Sequence, residues 1–419
     1  MKYLFAACII CVIVFMYGGI GILTNQYDDS YITYRYAVNL ANGDGMVFNA
    51  GEHVDAASSF LYVVILAASY KMGISSEIAS IIISLLSLGI ICVLIINTSQ
   101  SWIGYVIAAL VCLHGFMSGW AVSGMETVFF AMLVSLFVYC VLNKSDSKIL
   151  AVLIVSIVLA RHDGLLLLPV YLWIERKNWK HIAIVLSITG IYYLARYLYY
   201  GDIIPHVMQV KNGNPYYHGN PNEMLQHWLS YCSAVMFGWA AIFKKNTICL
   251  YCLIAYLVYS FGIRADLVRY SVHLLPVMVI IFLYFAVKQH NKQLIYAFMV
   301  ILALNTYMSV GKYRAFMLDY RPTQEARQTI GEIVREQIPE SERIISGDIG
   351  IIAYTAINHQ FIDMVGLTSQ PAYPTHKYIA DTINSRDYSY PRLPGKHNVL
   401  AVYGQQGKPY AIGLLERVR

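Results

Sequence analysis

Long apolar runs recur along most of the chain, parted by short polar stretches. They mark candidate membrane segments at roughly 3–24, 58–70, 77–97, 101–118, 124–142, 149–160, 163–174, 181–199, 228–243, 247–263, 270–287 and 293–310. A simple helical span needs about 20 apolar residues, and several of these segments are shorter. The pair 149–160 and 163–174 reads as a short hairpin around "ARHDG". Lys and Arg gather in "NKSDSK" (143–148), "ERKNWKH" (175–181), "KK" (244–245) and "KQHNK" (288–292). Such loops are cytoplasmic by the positive-inside rule. The first loop (25–57), "RHDG", residues 200–227, residues 264–269 and everything after 311 then face the outer side. Counting every segment as a crossing breaks this parity. We expect about eleven membrane helices, with one segment between 58 and 142 re-entrant or two of them forming one broken helix.

The pattern changes at Gly311. Residues 1–311 read as a transmembrane module and 312–419 as a small, soluble, extracytoplasmic α/β domain. Within the latter, "YRPTQEARQTIGEIVREQI" has the spacing of an amphipathic helix. "RIISGDIGIIAY" and "HQFIDMVGL" read as strand, turn and second strand, and "NVLAVYG" and "YAIGLLER" as short closing strands. The Pro-rich remainder reads as loop.

Composition agrees with the pattern. The chain is 58% hydrophobic and 13% charged, with a mean hydropathy of +0.53. A soluble domain is about half apolar and about a quarter charged. The fold class is therefore mainly α and polytopic. The start, "MKYLFAACIICVIVFMYGGIGI", is too long for a signal-peptide core and lacks a cleavage site, so it reads as a signal anchor and first span. The net charge of +6 forms no basic stripe, which argues against nucleic acid as a partner. All eight cysteines fall in apolar stretches, including Cys249 and Cys252 in "TICLYCLIAY". They read as small apolar fillers, not as a redox or zinc site. Many of the 35 tyrosines sit where an interfacial aromatic belt would.

The polar chemistry concentrates in the first loop, "NQYDDSYITYRYAVNLANGDGMVFNAGEHVDAASSF". Asp28 and Asp29 stand at the outer end of the first span. A partly buried carboxylate there suits removal of a hydroxyl proton, and adjacent like charges raise one pKa. The plainer reading is an Asp N-cap for a helix over "SYITYRYAVNLANG" with a Gly stop. Glu126 lies in the apolar frame "AVSGMETVFFAML", where an ionisable group is costly unless paired or functional. It binds a polar ligand, pairs with Arg161, or caps the helix from Thr127. Arg161 and Asp163 flank His162. An Arg fork suits phosphate, although a pair with Asp163 or Glu126 is the plain alternative. Lys211, Arg264 and Arg269 are further outer-face cations. Asp348 and Asp363 read as turn residues, or as part of a tail that folds over a cleft. No D-x-D, H-x-H or EF-hand run appears, so no metal or cofactor is indicated. If a divalent ion binds, Asp28, Asp29 and Glu126 are the carboxylates to hold it.

These segments resemble a known pattern. "DDSYITYRYAVNLANGDGMVFNAGEHVDAASSFLY" resembles the first-loop signature of a GT-C superfamily branch that includes the terminal arabinofuranosyltransferases of mycobacterial cell walls. The likeness runs from Asp28 through Val54, with Asp55 where the family often has Glu. It departs at residues 56–60, which lack the usual Gly, Thr and Pro. Further echoes follow in family order: "SGMETVFFAML", "ARHDGLLLLP" with His162 replacing a Pro, "YYGDIIPHVMQVK", "RYSVHLLPV" and "SGDIGIIAYTAINHQFIDMVGLT". The resemblance implies a GT-C fold and an inverting transfer of sugar from a polyprenyl-phosphate donor, arabinofuranose first among the candidates. The acceptor would be a glycan, a lipopolysaccharide or a secreted protein, at the outer, periplasmic face of a bacterial inner membrane. It implies Asp28 as general base and Asp29 as a sugar-orienting group. Arg35, Glu126, Arg161, Asp163, Lys211 and Arg269 would hold the donor and its phosphate. A transporter or flippase for a lipid-linked saccharide is the competing reading.

Overall fold

The structure, a computed structural model, describes residues 1–18, 26–203, 205–213, 272–363, 368, 378–384, 397–403 and 410–417. The expected spans 228–243 and 247–263, together with Arg264 and Arg269, lie outside the described residues.

Helices α1 (Lys2–Gly18), α2 (Asp28–Asn42), α3 (Phe60–Lys71) and α4 (Ser76–Ser99) come first. Then follow α5 (Trp102–Leu113), α6 (Gly115–Val122), α7 (Thr127–Leu142) and α8 (Ser147–Ala160). A 3-10 turn (His162–Leu167) leads into α9 (Leu168–Ile174), α10 (Trp179–Tyr200) and α11 (His206–Gly213). Helices α12 (Leu274–Lys288) and α13 (Lys292–Gln337) complete the bundle.

Hydrogen bonds between helix ends show which ends lie together. Lys2 Nζ donates to Asn97 Oδ1 at 2.7 Å, so α1 starts where α4 finishes. Gln26 Nε2 donates to the Glu77 carbonyl at 3.0 Å, so α4 starts beside the first loop. Helix α3 therefore leaves the first loop and returns to the same end of the bundle without crossing. The segment 58–70 thus starts and ends at one end of the bundle, as a re-entrant segment would. Its twelve residues are too few for a straight span, and it packs along α2 instead.

A second irregularity lies at 101–118, where α5 and α6 meet at 57°. His114 makes the break: its side chain accepts from Phe116 N and opens α6. Two glycines then let α13 approach. A Cβ on Gly115 would lie 2.2 Å from the Ser309 carbonyl oxygen, and one on Gly119 would lie 2.1 Å from the Tyr313 ring.

Among the described residues, α4, α10 and α13 are long and apolar enough to cross a membrane, and α5 with α6 adds a fourth if the bent pair is one span. Six further apolar helices among the described residues are shorter than a straight span. Helix α10 leaves Ile184, Ile188, Ile191 and Leu198 exposed at helical spacing. Burying one such side chain contributes roughly 1.5–3 kcal/mol, so a stripe of them suits a lipid surround.

Helix α13 is 46 residues long and runs through Gly311 and Pro322 without a break. Its apolar first half belongs to the bundle, and its polar second half carries the chain into the tail. There β1 (Arg343–Ser346), α14 (Ile351–Thr355) and β2 (Gln360–Asp363) form a β-α-β unit. The expected strand-turn-strand is thus corrected: "IIAYT" is helical, and β1 and β2 pair in parallel. Parallel neighbours need a crossover instead of a tight turn. Strands β3 (Tyr378–Asn384), β4 (His397–Tyr403) and β5 (Tyr410–Arg417) extend the sheet in the order β2-β1-β3-β5-β4. Strand β3 falls in a stretch that reads as loop in the sequence.

Candidate functional site

The first turn of α2 meets the tail at Asp28. Tyr27 is the N-cap of α2 and makes no side-chain cap, so the expected Asp cap is not how this helix starts. The Asp28 carboxylate instead accepts from Gly350 N at 3.2 Å and Ile351 N at 2.9 Å, and so holds the start of α14. The fit is close: a Cβ on Gly350 would lie 2.1 Å from the Asp28 carbonyl oxygen and 2.5 Å from its Cγ. Asp28 N donates to the Tyr320 hydroxyl at 3.2 Å. The Arg327 guanidinium stands beside this group and donates to Asp348 Oδ1 at 2.8 Å and to Tyr320 at 3.0 Å. Burial pushes the Asp28 carboxyl above the usual carboxylate range. Arg327 and the Ile351 N–H oppose that rise, while the Asp348 and Asp29 charges reinforce it. Asp28 is thus a half-buried, rigidly held carboxyl with a raised pKa, and Asp29 is half-buried next to it.

The start of α2 is also tied to the turn between α6 and α7. Tyr27 N donates to the Ser123 carbonyl at 2.9 Å. Gly124, at φ +83°, leaves room where a Cβ would strike the Tyr34 hydroxyl, Gln26 Oε1 and Ser30 Oγ. Three separated segments (26–30, 123–126 and 348–351) therefore converge.

Much of the polar content of the first loop holds the tail. Arg35 is only 2% exposed. It donates to the Phe48 carbonyl at 2.7 Å, the His359 carbonyl at 2.6 Å, Asn49 Oδ1 at 3.3 Å and the Ala353 carbonyl. Placed at a donor phosphate by resemblance, it is turned inward and clamps loop to tail. Asn49 meets the Phe361 backbone both ways, with Nδ2 donating to its carbonyl at 2.7 Å and its N–H donating to Oδ1 at 3.0 Å. Arg343 donates to Glu52 at 2.6 Å.

A second cluster surrounds Phe130. Glu126 is 2% exposed, one helical turn before it. Arg161 lies 4.9 Å from the Phe130 ring centre, and the His273 ring lies 5.1 Å away. Arg161 makes a two-point pair with Asp163, at 3.0 and 2.7 Å. The "SGMET" and "ARHDG" segments thus come together beside His273. Beside them Arg196 pairs with Asp55 and lies 2.8 Å from His162 Nε2, while the Tyr193 hydroxyl is 3.1 Å from His162 Nδ1. Lys211 lies on α11, and Arg269 lies outside the described residues. Among the described residues, no three His, Cys, Asp or Glu side chains converge as a metal site would need.

Sequence reasoning missed Tyr320, Arg327, Gly350 and Arg196. Tyr320, Gln324 and Arg327 are spaced for one helix face, a signal that was present. Nothing local announces that this face meets Asp28.

A family model described as "Domain of unknown function (DUF8728)" matches residues 317–407. No curated protein matches the chain. Among solved structures, the fold is similar to ArnT from Cupriavidus metallidurans bound to undecaprenyl phosphate. That likeness has a TM-score of 0.64 at 10% identity and covers 98% of each chain. The apo state of the same protein gives a TM-score of 0.60 at 11% identity and covers 97% of each chain. The chain therefore has an ArnT-like, mainly helical fold.

Proposed function

We propose that the chain is a membrane glycosyltransferase of GT-C type that takes sugar from a polyprenyl-phosphate donor. The observation that carries this reading is Asp28, a half-buried carboxyl of raised pKa held by the tail's backbone, in a fold shared with a protein that binds undecaprenyl phosphate. The basic stretches 144–148 and 175–181 meet through Asn178 and Ser147, and 288–292 follows Tyr284, whose hydroxyl donates to the Leu142 carbonyl at the end of α7 that is far from Asp28. By the positive-inside rule that bias supports an outer, periplasmic position for the first loop and tail in a bacterial inner membrane.

In the proposed step an acceptor hydroxyl oxygen bonds to the anomeric carbon from the face opposite the phosphate. The bond from that carbon to the phosphate oxygen breaks, and its electron pair leaves with the polyprenyl phosphate. The hydroxyl proton passes to Asp28, and the single back-side displacement inverts configuration. Such base assistance is worth about 10²–10⁴-fold. Asp29 orients sugar. The phosphate leaves as an anion and needs cations, not a proton. Arg161, Lys211 and Arg269 are the proposed contacts, with Glu126 and Asp163 placing sugar hydroxyls and Arg161. Arabinofuranose is the first donor sugar to try.

The test is a transfer assay on purified wild type, Asp28→Asn and Asp29→Asn with a panel of radiolabelled polyprenyl-phosphate sugars and glycan, lipopolysaccharide and pilin-like acceptors. One sugar should be transferred, and Asp28→Asn should lose at least 100-fold while staying folded. Full activity in both variants would move the base elsewhere.

A further inference from the structure

Ile351, whose N–H holds Asp28, also lines a cleft of about 390 Å³ between α2, the start of α4, the polar half of α13, and α14. Ligand pockets run from about 300 to 1,000 Å³, so the space suits a small ligand or the end of a larger one. Three tyrosines, Tyr31, Tyr70 and Tyr354, line it. The Tyr31 and Tyr354 ring centres are 5.5 Å apart, and Tyr70 is 38% exposed. The polar lining includes Glu77, Gln328 and Glu332. The Tyr354 hydroxyl donates to Glu77 Oε2 at 3.1 Å, which ties the ring to the carboxylate.

This is the chemistry of a saccharide site. Aromatic faces pack on the C–H faces of sugar rings, and carboxylates and an amide accept the hydroxyl protons. The charge balance narrows the class. Two carboxylates face one cation, Arg335, which is exposed and shared with Glu336 at 3.4 Å. An anionic ligand would meet like charge there. We propose that this cleft seats the neutral glycan acceptor of the transfer reaction, with its terminal sugar toward Ile351 and Asp28. The inference rests on the transferase reading and deepens it by naming the acceptor class.

The test is binding without donor, so that it is independent of turnover. Saturation-transfer NMR on the full chain in detergent would use neutral tetrasaccharides of arabinose, mannose, galactose and glucose, and one phosphorylated mannose tetrasaccharide. At least one neutral probe should bind, and Glu77→Gln and Tyr354→Ala should each weaken it tenfold or more. Gly311→Ala, with nothing within 4 Å of the new methyl, serves as control and should bind as wild type. If Tyr354→Ala fails to fold, Tyr354→Phe keeps the ring, removes the bond to Glu77, and should still weaken binding measurably. No binding of any neutral probe, binding unchanged in the cleft variants, or preference for the phosphorylated probe would overturn the proposal. Saccharide binding with no donor ever consumed would keep the glycan site and sink the transferase reading. Donor turnover without saccharide binding would do the reverse.

Discussion

Gly350→Ala is a one-methyl perturbation aimed at the contact that holds Asp28. The new Cβ would lie 2.1 Å from the Asp28 carbonyl oxygen, 2.5 Å from its Cγ and 2.6 Å from Oδ1. Ordinary contact begins near 3.4 Å, so α14 and the first turn of α2 must separate by about 1 Å. The opposing atoms include backbone, which cannot swing aside as a side chain can. Overpacking of this kind costs about 1–3 kcal/mol. Separation also stretches the bonds from Gly350 N and Ile351 N, and bonds to a charged group are worth roughly 1.5–3 kcal/mol each. A displacement of about 1 Å at a catalytic group costs about 10²-fold in rate. Purified Gly350→Ala should therefore show kcat reduced about 100-fold, with a lowered thermal midpoint. Gly311→Ala in α13 meets nothing within 4 Å and should keep its activity, with stability unchanged or raised by up to about 1 kcal/mol. Wild-type kcat in Gly350→Ala would refute the claim that the tail positions Asp28.

Other consequences follow from the same contacts. A base must be ionised, so the acid limb of kcat/KM should lie above the roughly 3.9 of an ordinary Asp, because burial raises the Asp28 pKa. Asp348→Asn removes a charge that raises it and should move the limb to lower pH, whereas Arg327→Gln should move it higher; a pH–rate profile that shifts both variants the same way would contradict the assignment. Asn49→Leu removes both bonds to the Phe361 backbone, at about 1–3 kcal/mol for each buried group left unpaired, and should make the tail cleave faster in limited proteolysis. Gly115→Ala forces α13 off α6 at the Ser309 carbonyl and should lower stability by about 1–3 kcal/mol in a thermal unfolding scan, with the break at His114 as the reason.

Local signals carried the helices well. The stop of α2 at Gly43, at φ +98°, follows from "LANGDG", and the hairpin at "ARHDG" follows from two short apolar runs. What local signals could not carry was partnership. Asp28 looks like a cap for its own helix, yet it caps one more than 300 residues away. Arg35 looks like a loop cation available to phosphate, and only the fold reveals Ala353 and His359 as its acceptors. Gly311 reads as the end of the membrane module, but packing against α5 and α6 carries α13 through it. Residues 58–70 look like a crossing because apolar content marks burial without telling membrane from protein. The convergence of the first loop with "SGMET" and the tail was foreshadowed by resemblance, since those segments follow in family order.

The most direct test of the central claim is stoichiometry in liposomes. The chain would be reconstituted with polyprenyl-phosphate sugar and a glycan acceptor, and both products would be counted by mass spectrometry. One polyprenyl phosphate should be released per sugar added, only when acceptor is present, and at least 100-fold less with Asp28→Asn. Donor that moves between leaflets with its sugar–phosphate bond intact would contradict the central claim and make the chain a transporter.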